Sequence, residues 1–170
     1  DRQILNSILS QISVPHEMHS ELLVIMDKRD KISIEELSKL LQDIGMSTTQ
    51  VDQLNEYLLK SDLTELKKDL NDTKCIDDLK NLMDMMETAG FSDYLQFDIS
   101  IVRGLSYYTG AVFEVNSPAK QHRAICGGGR WDSLLSTHGG EIVPAVGVGV
   151  GEVGVLDVRQ DLERLHEVTR

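Results

Sequence analysis

The chain has 170 residues, 26% of them charged, with a formal net charge of -11. That length suffices for one sizeable core or two small ones, and the acidity excludes a generic basic clamp for nucleic acid while leaving room for a local basic strip. No apolar run reaches membrane-spanning length and the polar opening Asp1-Arg2-Gln3 is no signal peptide, so no membrane partner is expected.

Residues 1–90 read as consecutive short helices. Ile4, Leu5, Ile8, Leu9 and Ile12 form one apolar face at helical spacing, in a pattern that starts without a methionine or a cap, as if cut from a longer chain. Pro15 suits the first turn of a second helix carrying Met18, Leu22, Leu23, Ile25 and Met26. The charge run Asp27–Lys31 reads as a solvated inter-helix turn or, alternatively, a basic face for nucleic acid. Ser33 with Glu36 makes a capping-box pattern for a third helix, which Gly45 closes. A fourth starts near Ser47–Thr49 and carries Val51, Leu54, Tyr57 and Leu58. Asp62–Leu70 and Ile76–Met86 complete the series before Gly90, and Met83, Met85 and Met86 read as core filler.

Composition then changes: of 13 glycines, only Gly45 and Gly90 precede residue 91. Residues 91–170 read as strands, glycine turns and a closing helix, so the expected class is α+β with a mainly antiparallel sheet. Tyr94–Val102 alternates apolar and polar residues, and Ala111–Val115 reads as a returning strand. Between them lies Arg103-Gly104-Leu105-Ser106-Tyr107-Tyr108-Thr109-Gly110, which places a fixed cation beside paired tyrosines. A guanidinium keeps its charge at physiological pH, and its fork suits phosphate or carboxylate; the plainer alternative is a tight connection with its tyrosines in the core. His122–Cys126 reads as a strand ending in Gly127-Gly128-Gly129-Arg130-Trp131-Asp132, where backbone or ligand can approach closely. Leu134 and Leu135 begin a short helix. Val143–Val150 alternates valine with glycine, which in a strand puts the valines on one face and bare backbone on the other. A flat group can lie on bare backbone; a helix packed closely against it is the alternative. Glu152–Val168 is the closing helix, its acidic start matched to the helix dipole.

Several chemistries are absent. No stretch has the P-loop pattern, and Gly147-Val148-Gly149-Val150-Gly151 lacks dinucleotide-fingerprint spacing. His16 and His19 can share a helix face, but with no third ligand no metal site is expected. Cys75 and Cys126 lie far apart without a CxxC motif, so neither zinc nor a disulfide framework is indicated, and a reducing, cytoplasmic compartment is expected.

Taken together, Arg103–Gly110, Gly127–Asp132 and Pro144–Gly151 closely resemble the class II histidyl-tRNA synthetases. The first element resembles the family's second histidine-specific motif, and the last resembles class II motif 3, a glycine-rich strand leading into a helix. Arg2–Leu5, Val14-Pro15 and Asp27–Lys31 resemble the segment after motif 2 in the eukaryotic and archaeal branch. The resemblance implies part of a class II antiparallel sheet preceded by the end of the motif 2 helix and a helical insertion. It also implies that motifs 1 and 2 and an anticodon-binding domain belong to a longer chain. Its implied activity is formation of histidyl-adenylate from histidine and ATP and transfer to tRNA(His), by a homodimer in the intact enzyme.

The resemblance makes Arg103 the catalytic residue and an ATP contact. It assigns Tyr107, Tyr108, Gly127, Gly128 and Trp131 to histidine, Tyr108 being the stronger of the tyrosines, and Gly147, Gly149 and Gly151 to ATP. Mg2+ accompanies ATP, with ligands expected mainly outside this chain, and the fragment alone is expected to be inactive. Ser106 stands where many members have aspartate and Trp131 where many have tyrosine, and Glu152-Val153-Gly154-Val155 lacks the usual motif 3 arginine. Two non-catalytic relatives compete: the synthetase-like regulatory subunit of ATP phosphoribosyltransferase and a tRNA-sensing pseudo-synthetase domain. Retention of Arg103 with both tyrosines favours the enzyme.

Overall fold

The computed structural model describes residues 1–103, 107–117 and 124–161. Six α-helices come first: α1 Arg2–Gln11, α2 His19–Met26, α3 Ile34–Asp43, α4 Thr48–Leu58, α5 Leu63–Asp69 and α6 Lys74–Thr88. Strands β1 Val112–Val115, β2 Cys126–Arg130 and β3 Val146–Val150 follow, and then helix α7 Glu152–Asp161. Two compact units result, Asp1–Ala111 and Val112–Arg170.

In the first unit the periodic apolar positions face inward. Ile4, Leu5, Ile8 and Leu9 of α1 are buried with Leu22 and Met26 of α2, Leu41 of α3, Leu54 of α4, Leu66 of α5 and Ile76 of α6. Each such side chain contributes about 1.5–3 kcal/mol of burial free energy, an upper estimate because unfolded chains already bury some surface. α1 packs against α4 and α6 and so runs through the middle of the unit.

Local signals explain the helix ends. Asp1 caps α1, its carboxylate accepting from the amides of Gln3 and Ile4, so the opening is not capless as the sequence suggested. The full capping box lies at Ser47 and Gln50, where each side chain meets the other's backbone; Ser33 accepts from the amide of Glu36 at the start of α3. Gly45 and Gly90 follow α3 and α6 with positive φ, as their places in the sequence implied. The run Asp27–Lys31 is an inter-helix turn with a 3-10 segment at Arg29–Lys31. Met83 packs against the core, whereas Met85 is exposed, so the core reading fails for Met85.

Tyr94–Val102 is not a strand. A 3-10 turn occupies Ser92–Tyr94, and the Asp98 carboxylate accepts from both the amide and the hydroxyl of Ser100, bending the chain where the alternation predicted extension. The alternating residues still supply core: Ile99 and Val102 are buried and Phe97 packs beside them.

In the second unit β1, β2 and β3 form an antiparallel sheet in that order. Gly127, Gly128 and Gly129 are the middle of β2, so the strand runs on to Arg130 and does not end at Cys126. Leu134 and Leu135 precede a single 3-10 turn at Ser136–His138. Gly104, Leu105 and Ser106, the His122 start of the expected strand, and the closing helix beyond Asp161 lie outside the described residues.

Candidate active site

The expected site residues fall in both units. In the first, Arg103 has φ 45°, a left-handed backbone that costs free energy in a residue with a Cβ. Such strain persists only where neighbours enforce it, and here the first turn of α1 does so. The Arg2 guanidinium donates from Nη2 to the Arg103 carbonyl at 2.5 Å. The Arg2 amide donates to the Gly110 carbonyl at 3.1 Å, and Gln3 Nε2 donates to the Thr109 carbonyl at 2.9 Å. Both ends of the predicted loop are thereby fastened to one helical turn.

Tyr107 and Tyr108 lie within that loop with ring centroids 4.8 Å apart and planes at 49°. Tyr108 is 8% exposed and Tyr107 38% exposed, so one ring is anchored and the other accessible. Loss of hydration, and then the neighbouring Tyr108, push the Tyr107 phenol above its ordinary range, while Arg103 pulls it back. Tyr107 therefore stays protonated at neutral pH and can donate as well as accept.

In the second unit the strand register sorts the faces. Phe113 pairs through Gly128 with Val148, and Val115 through Cys126 with Val150, giving a mainly apolar face that also carries Arg130 beside Val146. Val112, Gly129 and Gly147 align on the other face, next to Glu114, Gly127 and Gly149. The valine–glycine alternation thus does what its period required.

The glycines differ in what surrounds them. A Cβ at Gly128 would lie 2.0 Å from the Gly147 carbonyl oxygen, so only glycine permits this strand spacing. A Cβ at Gly147 would lie 2.6 Å from Trp131 Cζ2, which puts the indole over that position. Gly149 is open, its nearest neighbour being the Gly127 carbonyl oxygen at 4.0 Å, and at Gly151 the nearest is the Ile125 carbonyl oxygen at 3.6 Å. The bare surface is therefore at Gly149, with the Trp131 ring beside it over Gly147. Trp131 is held by its amide to the Ala145 carbonyl at 2.9 Å, and Asp132 accepts from the Ala145 amide at 3.1 Å.

Sequence reasoning missed Arg2 and Gln3 as supports of the loop. The available signal was a charge on an apolar face: Arg2 stands three residues before Leu5 and seven before Leu9, both buried. His16 and His19 do approach, with ring centroids 5.0 Å apart, but among the described residues no three metal-ligating side chains converge there or elsewhere.

A family model described as histidyl-tRNA synthetase matches residues 1–151. The chain is 39% identical over 168 residues to the chloroplastic/mitochondrial histidine–tRNA ligase of Arabidopsis thaliana, covering 98% of this chain and 35% of that protein. It is 33% identical over 163 residues to the ligase of Pyrococcus horikoshii, covering 89% and 37% respectively. Among solved structures, histidyl-tRNA synthetase from Nostoc sp. PCC 7120 shares the fold at TM-score 0.82 and 22% identity, over 97% of this chain and 42% of that one. A Bacillus halodurans C protein described as an ATP phosphoribosyltransferase regulatory subunit/histidyl-tRNA synthetase matches at TM-score 0.69 and 25% identity, over 86% and 39%. The chain thus spans little more than a third of the length of the curated relatives named here. With the family model covering most of its residues, the chain belongs to the histidyl-tRNA synthetase family, among the class II aminoacyl-tRNA synthetases.

Proposed function

We propose that this chain is the helical insertion (residues 1–90, with the end of the motif 2 helix) and the second half of the catalytic domain (residues 91–170) of a histidine–tRNA ligase. The ligase joins histidine to ATP as histidyl-adenylate and transfers it to tRNA(His). In the first step a histidine carboxylate oxygen attacks the α-phosphorus and pyrophosphate leaves, so negative charge gathers on phosphoryl oxygens. A fixed guanidinium stabilises that charge more in the transition state than in the ground state. Arg103 is the residue for this role. Tyr107 and Tyr108 hold the substrate imidazole with Gly127, Gly128 and Trp131, and the strand carrying Gly147, Gly149 and Gly151 supports ATP. The open backbone at Gly149 suits a flat adenine better than Gly147, which lies under the indole.

The supporting observation is the strained Arg103 backbone, fastened through its own carbonyl and set beside a tyrosine pair with one buried and one accessible ring. A purely regulatory relative, such as the ATP phosphoribosyltransferase subunit, has no need of a cation aimed at a phosphoryl group. Mg2+ belongs with ATP, but the described residues offer no cluster to hold it, so no step is drawn through it. Histidine, ATP, tRNA(His) and a second copy of the full-length chain are the proposed partners. The eukaryotic and archaeal branch is proposed from the opening segment. Cytoplasm is the proposed compartment, with an organelle as the alternative, since relatives named for both match. No helix among the described residues is long and apolar enough to cross a membrane.

The test is histidine-dependent ATP–pyrophosphate exchange by the full-length ligase that carries this chain. Arg103→Lys keeps the charge and loses the fork. It should lower kcat about 100-fold with the histidine KM nearly unchanged, the signature of an interaction made in the transition state. Equal kcat in variant and parent would refute the assignment.

A further inference from the structure

Arg2 is an anomaly in its helix. It sits at the first position of α1 with 4% of its surface exposed, on the face that otherwise buries Leu5 and Leu9. Burying a guanidinium is costly unless its charge and donors are used, and an apolar residue there would extend the core at no such cost. Helix dipole effects do not explain it either, because a cation at a helix N-terminus is on the unfavourable end. Among what Arg2 gains is the carbonyl of Arg103, 101 residues away, at 2.5 Å.

We propose that Arg2 is a positioning residue for adenylate formation: its guanidinium grips the Arg103 carbonyl and fixes that residue in the left-handed conformation from which its side chain works. The inference rests on the reading of Arg103 as the catalytic cation. The geometry suits the task. The carbonyl direction follows the φ/ψ of its residue, so holding it restrains the backbone torsions that set where the Cα–Cβ bond points. The Arg2 amide and Gln3 also hold Gly110 and Thr109, so the same helical turn fastens the backbone on both sides of the tyrosine pair. Burial pushes the Arg2 guanidinium below its ordinary range, and Asp27 and then Tyr108, within electrostatic reach, oppose this only in part. Arg2 therefore holds the backbone of the cation, while α1 itself is anchored in the core against α4 and α6.

The experiment uses the full-length ligase carrying this chain, with Arg2→Met and Arg2→Lys, each alone and combined with Arg103→Ala. Pyrophosphate exchange gives kcat and the histidine KM. Hydrogen exchange of the backbone amides of residues 103–110 reports the loop directly. Displacing a catalytic group by an ångström costs about 100-fold, so Arg2→Met should lower kcat about 10- to 100-fold. Arg2→Lys, which can still donate to a carbonyl, should recover part of that loss. Because Arg2 acts through Arg103, neither substitution should lower kcat further in the Arg103→Ala background, the non-additivity expected of residues working as one unit. Loop amides should exchange faster in both variants. The same fold-loss with and without Arg103, or unchanged kcat with unchanged loop exchange, overturns the proposal. If Arg2→Met does not fold, Arg2→Lys carries the same cycle. Absence of histidine-dependent exchange in the unmutated ligase would overturn the ligase reading and this inference with it. An active ligase indifferent to Arg2 would overturn this inference alone.

Discussion

In the unit Asp1–Ala111 apolar side chains turn inward, and Leu5, Leu22, Leu41, Leu54 and Leu66 from five different helices are fully buried. In the sheet the relation is reversed. Val146, Val148 and Val150 are 74%, 60% and 65% exposed, while the buried positions of β2 are Gly127, Gly128 and Gly129. The helical unit closes its own core; the sheet brings backbone together closely and leaves its valine face outward. The first arrangement is a support and the second is a surface that needs covering. A support holds strain in place, as α1 does at Arg103, whereas bare strands offer room for a ligand without fixing one.

The largest effect follows from that division. The chain spans 35% and 37% of the length of the two ligases named above, and one preorganised charge alone is worth about 10²–10³ in rate. The 170-residue chain by itself should show histidine-dependent pyrophosphate exchange at least about a thousandfold below the full-length ligase, since several charges and pocket walls would be missing at once. Under the proposed assignment, weak binding of histidine or an adenine nucleotide should persist on Tyr107, Tyr108 and the strand glycines. Exchange near the full-length rate would refute this expectation.

Two glycines one strand apart sharpen the contrast between packing and room. At Gly128 an added methyl would strike the Gly147 carbonyl oxygen at 2.0 Å and Val148 Cα at 2.9 Å, both backbone atoms that cannot step aside. Gly128→Ala should cost about 1–3 kcal/mol or more, as overpacking does, and lower the melting temperature of the full-length ligase. At Gly149 the nearest atom is 4.0 Å away, so Gly149→Ala should fold normally. Its methyl would project from the bare face, so its effect should be a several-fold rise in the ATP KM, of the size expected for losing uniform binding. A stable Gly128→Ala, or an unchanged KM in Gly149→Ala, would break the distinction.

Much of this was legible in the sequence where one local rule decides. Helix faces at Ile4–Leu9 follow from period, helix ends at Gly45 and Gly90 from left-handed backbone, and the sorting of Val146–Val150 from the alternation of a strand. Tyr94–Val102 was misread because its alternation competes with Asp98, whose side chain satisfies Ser100 and bends the chain. The strand expected to end at Cys126 instead continues through Gly127–Gly129, because three glycines suit a central strand squeezed between neighbours, and only the neighbours decide where it stops. In the candidate site, Arg103 and the tyrosine pair stood out as residue types, but the hold on Arg103 did not. It joins positions 101 residues apart through a main-chain carbonyl, which has no residue-type signature.

The smallest effect concerns pH and belongs to the helical unit alone. His19 is buried, and its Nε2 lies 3.2 Å from the Val14 carbonyl oxygen. A carbonyl only accepts, so Nε2 carries the proton, leaving Nδ1 buried without a hydrogen-bond partner. Charging the ring would put a proton on Nδ1 away from water and 5.0 Å from the His16 ring. Burial accordingly lowers the His19 pKa, the Val14 contact and Glu17 oppose this, and His16 adds to it. A histidine whose folded pKa lies below its unfolded value of about 6.5 binds more protons when unfolded, so stability rises with pH through that window. Stability from this residue should be fully present above about pH 6.5 and decline as pH falls below it. Unfolding of the chain by urea, followed by helical circular dichroism between pH 5 and 7.5, should show this slope, and His19→Gln should flatten it whatever its effect on absolute stability. An NMR titration placing the His19 pKa above the ordinary value would reverse the sign and show that its contact with Val14, not its burial, governs the ring.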